Sequence, residues 1–377
     1  MFKLLRKSLL LVVALLLLLS GCSSSTETGG GNEQGGEEEG GTKLEGVPER
    51  FASGDPVKIM VIRKIGGDDH TAQFLAGAKE EGESFGFTVD TFSANGDTAK
   101  FHDYIAQAIN DPDVDGVIIS HGDDDATYTD VQNLIDAGKK VVAFDSIDRL
   151  AELKDVTVTS QDDYALASLI LEQIKLDYPD GANLVYLWVD GFPPMVRRNS
   201  IYEPFMQENP QFKEVDRFGV AAADTSQQTQ NAVNAMLDKY GEGELDVIFA
   251  TWDAFAIGAA RAIIEKGRTD VAIYGIDVSN ADLQIMQQED SPWKFTAAVD
   301  PKLIGAVNMR ILAKKLAGED TPSTYDLEAA LISQEELLQA DEPINMENLN
   351  TVIPGWGESQ AFLEPWMETL KEHYGKK

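Results

Sequence analysis

Cysteine is almost absent from this sequence, and positive charge is scarce. One cysteine, Cys22, stands in 377 residues, so no intrachain disulfide can form. Lys and Arg number 31 against 64 Asp and Glu, a formal net charge of -33. Such a chain repels phosphate backbones and anionic headgroups, which argues against nucleic acid or an anionic lipid surface as partner. Most of these carboxylates are expected simply to face water. Histidine is rare as well, four residues in all. A metal site from Asp68, His70 and His121 is chemically conceivable, but no His-x-x-x-His or similar spacing supports it. Also missing are a Gly-x-Ser-x-Gly nucleophile elbow, a Walker loop and a dinucleotide glycine fingerprint. Glycoside hydrolysis needs two carboxyls about 5–9.5 Å apart, and nothing in the sequence fixes such a pair. The expectation is a protein with no catalytic residues, no metal site and no cofactor.

What is present begins with an apolar run. Lys3, Arg6 and Lys7 precede Leu9–Leu19, which is short for a membrane span of about 20 residues. The following Leu19-Ser20-Gly21-Cys22 resembles the lipobox of bacterial lipoproteins. That resemblance implies removal of residues 1–21, acylation of the Cys22 thiol and anchorage to the outer face of a membrane. An ordinary secretory signal or a single-pass anchor is the alternative. Residues 22–55 are rich in Ser, Gly, Glu and Thr, cannot bury a core, and are expected to form a tether. The rest of the chain exceeds one comfortable core, so two domains are predicted.

From Val57 onward short β-rich runs alternate with helical periodicity. Strands are predicted at Val57–Arg63, Thr88–Phe92, Asp115–Ser120, Lys140–Phe144 and Val156–Thr159. A second series follows at Asn183–Trp188, Val215–Val220, Asp246–Thr251 and Val271–Ile276. Apolar strands alternating with amphipathic helices predict an α/β fold with parallel sheets covered on both faces. The halves echo each other: "DGVIIS" at Asp115 matches "DVIFAT" at Asp246, and "NLIDAGKKVVAFD" matches "AIIEKGRTDVAIYGID". Two similar doubly wound lobes are therefore expected.

In open parallel sheets ligands bind beyond the carboxyl ends of the strands. Almost every residue there carries a hydrogen-bonding side chain. The first half supplies Asp68, Asp69 and His70, then His121 and Asp123–Asp125, then Asp145. The second half supplies Asp190, Trp252 and Asp253, and Asp277. Asp68 or Asp69 could equally cap the helix that begins near Thr71, and Asp123–Asp125 the next one. Asp145 and Asp277 end strongly apolar strands, so each needs a partner.

With these motifs in place, the chain resembles the type I solute-binding proteins of bacterial sugar ABC transporters. The resemblance runs from about Lys58 to Ser333, through "DDHTAQFLAGAKEEGESFGF", "NLIDAGKKVVAFDS", "VIFATWDAFAIGAARAIIEKG" and "VAIYGIDVS". It implies two lobes joined by three crossings that close over one sugar. Lobe one is then 56–150 plus 300–335, and lobe two 151–299 plus 336–377. Carried over, Asp68, His121, Asp145 and Asp277 fall at hydroxyl-binding positions. Arg197 or Arg198 resembles the arginine that clamps ring and hydroxyl oxygens. Departures bear on specificity: Thr71 and Asp224 stand where stacking aromatics are usual, and Ser146 replaces the basic partner of Asp145. Trp252, with Trp188 or Phe192, is the expected replacement platform. The ligand set is thus Asp68, Asp69, His70, His121, Asp145, Arg197, Arg198, Asp224, Trp252, Asp253 and Asp277. The resemblance implies a monomeric, extracytoplasmic protein that takes a sugar or polyol to an ABC transporter permease. The alternative is a sensory lipoprotein presenting its ligand to a membrane receptor kinase.

Overall fold

In the computed structural model, which describes residues 44–67, 69–222 and 224–375, the apolar runs assemble into two six-stranded sheets. Asp68 and Cys22 lie outside the described residues. The first sheet runs β2-β1-β3-β4-β5-β11, from β1 (Lys58–Arg63), β2 (Thr88–Ser93), β3 (Val114–Ser120), β4 (Lys140–Phe144), β5 (Val156–Ser160) and β11 (Thr324–Asp326). The second runs β7-β6-β8-β9-β10-β12, from β6 (Asn183–Leu187), β7 (Lys213–Phe218), β8 (Val247–Ala250), β9 (Ala272–Ile276), β10 (Trp293–Ala298) and β12 (Ala330–Ser333). All pairings are parallel except β10 with β12. The repeated motifs occupy equivalent places: "DGVIIS" is β3 and "VIFA" is β8, each third in its sheet.

Helices cover both faces of each sheet because the central strands are buried on both sides. On the first lie α1 (Glu49–Ala52), α2 (Asp69–Ser84), α3 (Thr98–Asn110), α4 (Asp125–Asp136) and α10 (Pro301–Leu316). On the second lie α5 (Asp163–Asp177), α6 (Pro193–Glu208), α7 (Thr225–Lys239), α8 (Asp253–Lys266), α9 (Asn280–Met286) and α11 (Gln334–Leu338). A last helix, α12 (Pro365–Tyr374), ends the chain. The chain passes between sheets after β5, after β10 and again between β11 and β12.

Helices α2 and α10 meet through two glycines. A Cβ on Gly77 would stand 1.9 Å from the Lys302 carbonyl oxygen, and one on Gly305 2.2 Å from that of Phe74. Alanine is the better helix former by about 1 kcal/mol, yet here its methyl meets rigid backbone. Overpacking should dominate, and Gly305→Ala is expected to cost about 1–3 kcal/mol in a urea melt. A neutral or stabilising result would mean the helices separate freely.

The boundaries differ from the sequence-based ones. Val47, Phe51 and Ala52 are buried, and the Phe51 ring stacks 5.3 Å from Trp366, so residues 44–55 belong to the folded body rather than to a tether. Strand β12 falls inside 300–335 but joins the second sheet. Residues 344–356 pack on the second core, whereas Trp366, Met367 and Leu370 of α12 return to the first. The tail therefore crosses between lobes a fourth time. Strands β10 to β12 escaped sequence reading because one mixes Lys and Thr with its apolar residues and two span only three or four residues.

Candidate functional site

The carboxyl ends of both sheets face one cleft of about 520 Å³. Three residues that directly follow a strand hold left-handed backbone, His121 at φ 63°, Asp145 at φ 46° and Asp277 at φ 77°, and Asn95 and Asp162, two positions past β2 and β5, do so as well. Such conformations are unfavourable for side chains with a Cβ and gather at functional sites. The first three are held by backbone: the Asp145 N–H donates to Thr159 O and the Asp277 N–H to Ala297 O, both at 2.9 Å. His121 N–H donates to Phe144 O at 2.9 Å.

Of the residues singled out by sequence, His70, His121, Asp123, Arg198, Trp252, Asp253 and Asp277 line the cleft. Asp69 does not; its Oδ2 accepts from Asn280 N at 3.0 Å and Nδ2 at 2.9 Å, in the other lobe. Asp224 is exposed before α7 and accepts from Gln228 Nε2 at 2.7 Å. Asp145 is buried and bound by Arg197 NH2 at 3.1 Å. Of the other two expected platform rings, Phe192 lines the cleft, whereas Trp188 stacks on Tyr186 and donates to Met195 O at 2.8 Å.

The two neighbouring arginines divide their work. Arg198 is fully buried within lobe two. It donates to Asp163 Oδ1 at 2.8 Å, Thr251 O at 2.5 Å, and both Asp277 oxygens at 3.1 and 3.2 Å. Arg197 spans the lobes, reaching Asp163 Oδ2 at 2.9 Å, Asp145 Oδ1 at 3.1 Å and Asp148 Oδ1 at 3.0 Å. The basic partner that Ser146 could not supply to Asp145 thus comes from the opposite lobe. Gln161 Nε2 donates to Asp277 Oδ1 at 3.1 Å, so each Asp277 oxygen is fixed before any ligand arrives.

Sequence reading missed Arg63, Lys64, Gln161 and Asp163. Arg63 ends β1 fully buried, donating from Nε to Thr71 Oγ1 at 3.0 Å and lying 3.1 Å from His70 Nδ1 through NH2. Its guanidinium stands 5.0 Å from the centroid of the Phe74 ring. A cation closing an apolar strand was a legible signal, the same one that singled out Asp145 and Asp277. Lys64 pairs with Asp123 at the cleft wall. Asp124 caps α4 by accepting from Thr127 N at 2.9 Å, as expected of this acidic run.

Burial, then the cations Arg63 and Arg197 among its neighbours, holds the His121 imidazole well below its usual range, so it stays neutral at pH 7. Its Nδ1 lies 2.7 Å from Ser120 Oγ. Burial and the nearby Asp163 push the Asp145 carboxyl up. Burial pushes Asp282, behind Asp253 and Asp277, up to about 8. For His121 the sign is definite: the folded pKa lies below the unfolded one, so the unfolded chain binds the extra proton. Its contribution is constant above about pH 6.5 and is lost as pH falls below it. His121→Gln is expected to flatten the acid limb of the stability profile between about pH 6.5 and 5; an unchanged limb would place that loss elsewhere.

A family model described as periplasmic binding protein domain matches residues 59–320. This chain belongs to the periplasmic binding protein family. A structure described as a sugar ABC transporter from Yersinia enterocolitica subsp. enterocolitica 8081 is 44% identical, with 87% of this chain and 98% of that chain covered at TM-score 0.82. The 5-methylthioribose transporter solute binding protein of Thermotoga lettingae TMO, in complex with 5-methylthioribose, is 30% identical, with 87% and 99% covered at TM-score 0.79. An ABC sugar transporter subunit from Rhodobacter sphaeroides 2.4.1, 24% identical at TM-score 0.67, shares the fold. Among curated proteins none matches. The family is extracytoplasmic, and the relatives are solute-binding transport proteins rather than enzymes. Among the described residues no helix is long and apolar enough to cross a membrane.

Proposed function

We propose that this periplasmic binding protein captures a small neutral sugar or polyol carrying an apolar substituent and delivers it to an ABC permease. We further propose that lipid on Cys22 holds it at the outer face of the membrane. The observation that carries the ligand reading is the polarity gradient along the cleft. Strand order sets it. Asp277 follows β9, Trp252 and Asp253 follow β8, and Val189 follows β6, with Ala221 and Ala222 beyond β7 at the sheet edge. On lobe two, hydroxyl partners thus cluster toward the hinge, with Gln161 and Arg198 among them, while lobe one faces them with Arg63 after β1 and His121 after β3. Toward the outer edge of lobe two the wall is Val189, Phe192, Met195 and Ala222.

A bare hexose would leave that apolar wall facing hydroxyls or water. A pentose with an alkylthio or alkyl group at C5 fills it with matching surface, at about 0.8 kcal/mol per buried methylene-sized group. The Thermotoga relative is described with such a ligand, 5-methylthioribose. Thermal unfolding of the full chain bearing Cys22→Ser, against 5-methylthioribose, ribose, allose, allitol and glucose, tests the reading. Ligand at about 100 times its dissociation constant adds roughly 2.7 kcal/mol and a visible melting shift. The largest shift is expected from the methylthio sugar. A response to glucose alone would contradict the apolar subsite, and silence from every sugar would contradict the class. Radiolabel on Cys22 after growth with labelled fatty acid tests the anchor.

A further inference from the structure

Asp69 raised a question that the sugar site does not answer: its carboxylate turns away from the cleft onto another residue. That residue, Asn280, opens α9 in lobe two and lies three positions after Asp277, while Asp69 opens α2 in lobe one, next to His70. Asp69 Oδ2 accepts from both the backbone N–H and the Nδ2 of Asn280, at 3.0 and 2.9 Å. The remaining polar atom of the amide is used as well. Asn280 Oδ1 accepts from Met346 N at 3.0 Å. Three segments therefore converge on one side chain: the first turn of α2, the first turn of α9 and the irregular tail segment that runs on to α12.

The tail is anchored at both ends around this point. Trp356 and Ile353 are buried in the lobe-two core, while Arg310 NH1 donates to Ser359 O at 2.8 Å and Lys314 pairs with Glu364 on lobe one. A crevice of about 400 Å³ lies beside the junction, between Gln73 of α2, Asp300 and the tail residues Met346 and Trp356. The tail is thus fixed to each lobe but not packed solidly between them, which leaves room for the lobes to part.

We propose that Asn280 is the positioning residue of a closure lock, tying α2 of lobe one to α9 of lobe two while the tail holds its amide in register. The lock joins the neighbour of His70 to a residue three positions past Asp277, and since His70 and Asp277 both line the cleft, it can form only when the two walls of the site are together. Arg197 bridges the lobes separately, toward the hinge, through Asp145 and Asp148. The lock concerns closure and does not depend on which sugar enters.

The pairing offers a test by exchange of roles. In Asn280→Asp two carboxylates face each other, and the lock should break. Adding Asp69→Asn restores one amide and one carboxylate: Asn at 69 can still accept from the backbone N–H of residue 280, and Asp at 280 can still accept from Met346 N. Spin labels on Asp113→Cys and Glu242→Cys, at exposed ends of the two sheets, report the interlobe distance in the ligand-free full chain with Cys22→Ser. The parent protein is expected to show a population at the short distance. Asn280→Asp should lose most of it, and Asp69→Asn/Asn280→Asp should regain it. An unchanged distribution in Asn280→Asp would overturn the lock, as would a double variant that stays as open as the single one. Since no ligand is added, failure here leaves the sugar reading standing, and failure of every sugar to bind leaves this test intact.

Discussion

Arg198→Met is expected to remove about 3–5 kcal/mol of folding stability, because it strips buried Asp277 of its guanidinium partner and leaves buried Asp163 with one guanidinium instead of two. Asp163 is completely buried and Asp277 nearly so, and Arg198 reaches both at 2.8 to 3.2 Å. Against a typical total of 5–15 kcal/mol, that loss brings the domain close to its folding threshold. Arg197→Met should behave differently. It removes one of the two guanidinium partners of Asp163, but Arg198 keeps the other, and its remaining partners, Asp145 and Asp148, belong to lobe one, with Asp148 largely exposed. Its loss should loosen closure more than it unfolds lobe two. Arg198→Lys should fall between wild type and Met, since an ammonium supplies charge but not the planar fork that spans Thr251 O and Asp277 together. Urea unfolding of the three variants gives the order. If Arg198→Met were no less stable than Arg197→Met, the buried cluster would not be the keystone of lobe two.

Trp252→Ala is the second large effect, and it should be selective. Trp252 leads into α8, half-buried, with its ring 5.6 Å from Phe255 in an edge contact, and it stands in strand order between Asp277 and the apolar wall. Removing it takes away the surface on which a sugar face and its substituent would both rest. About 2–3 kcal/mol of binding, roughly a 30- to 150-fold weaker affinity, is expected for a pentose with an apolar C5 group. Stability should change less than in Arg198→Met, because the half-buried ring packs on the rim of the lobe-two core rather than inside it. Trp252→Phe should recover most of the affinity. Unchanged affinity in Trp252→Ala, measured by titration calorimetry, would remove the ring from the site.

Much of this molecule could be read from its sequence, for identifiable reasons. The internal repeat and the alternation of apolar strands with amphipathic helices led to two parallel sheets, because a strand buried on both faces has nowhere to place polar residues. The strand-end rule led to His70, His121, Trp252, Asp253 and Asp277, since topology alone brings those ends together. It failed where partner geometry decides. Asp69 sits one residue before His70 yet faces across to Asn280, and no local pattern distinguishes the two. Arg197 and Arg198 are adjacent on a helix and so point in different directions, one between the lobes and one into lobe two. Asp163 was invisible because it opens a helix rather than following a strand. The tail was illegible for another reason: Trp366 and Phe51 are more than 300 residues apart, and only their contact shows that both ends of the folded chain close the same core.

The central claim is that the lobe-two wall of the cleft pairs a hydroxyl-binding half with an apolar half. The most direct measurement is titration calorimetry of the full chain bearing Cys22→Ser with two pentoses that differ only by an apolar thioether at C5. Burial of two methylene-sized groups is worth about 1.6 kcal/mol, roughly 15-fold in affinity. Tighter binding of the substituted pentose by about that factor, lost in Trp252→Ala, is the predicted result. Equal or weaker binding of the substituted pentose would contradict the account.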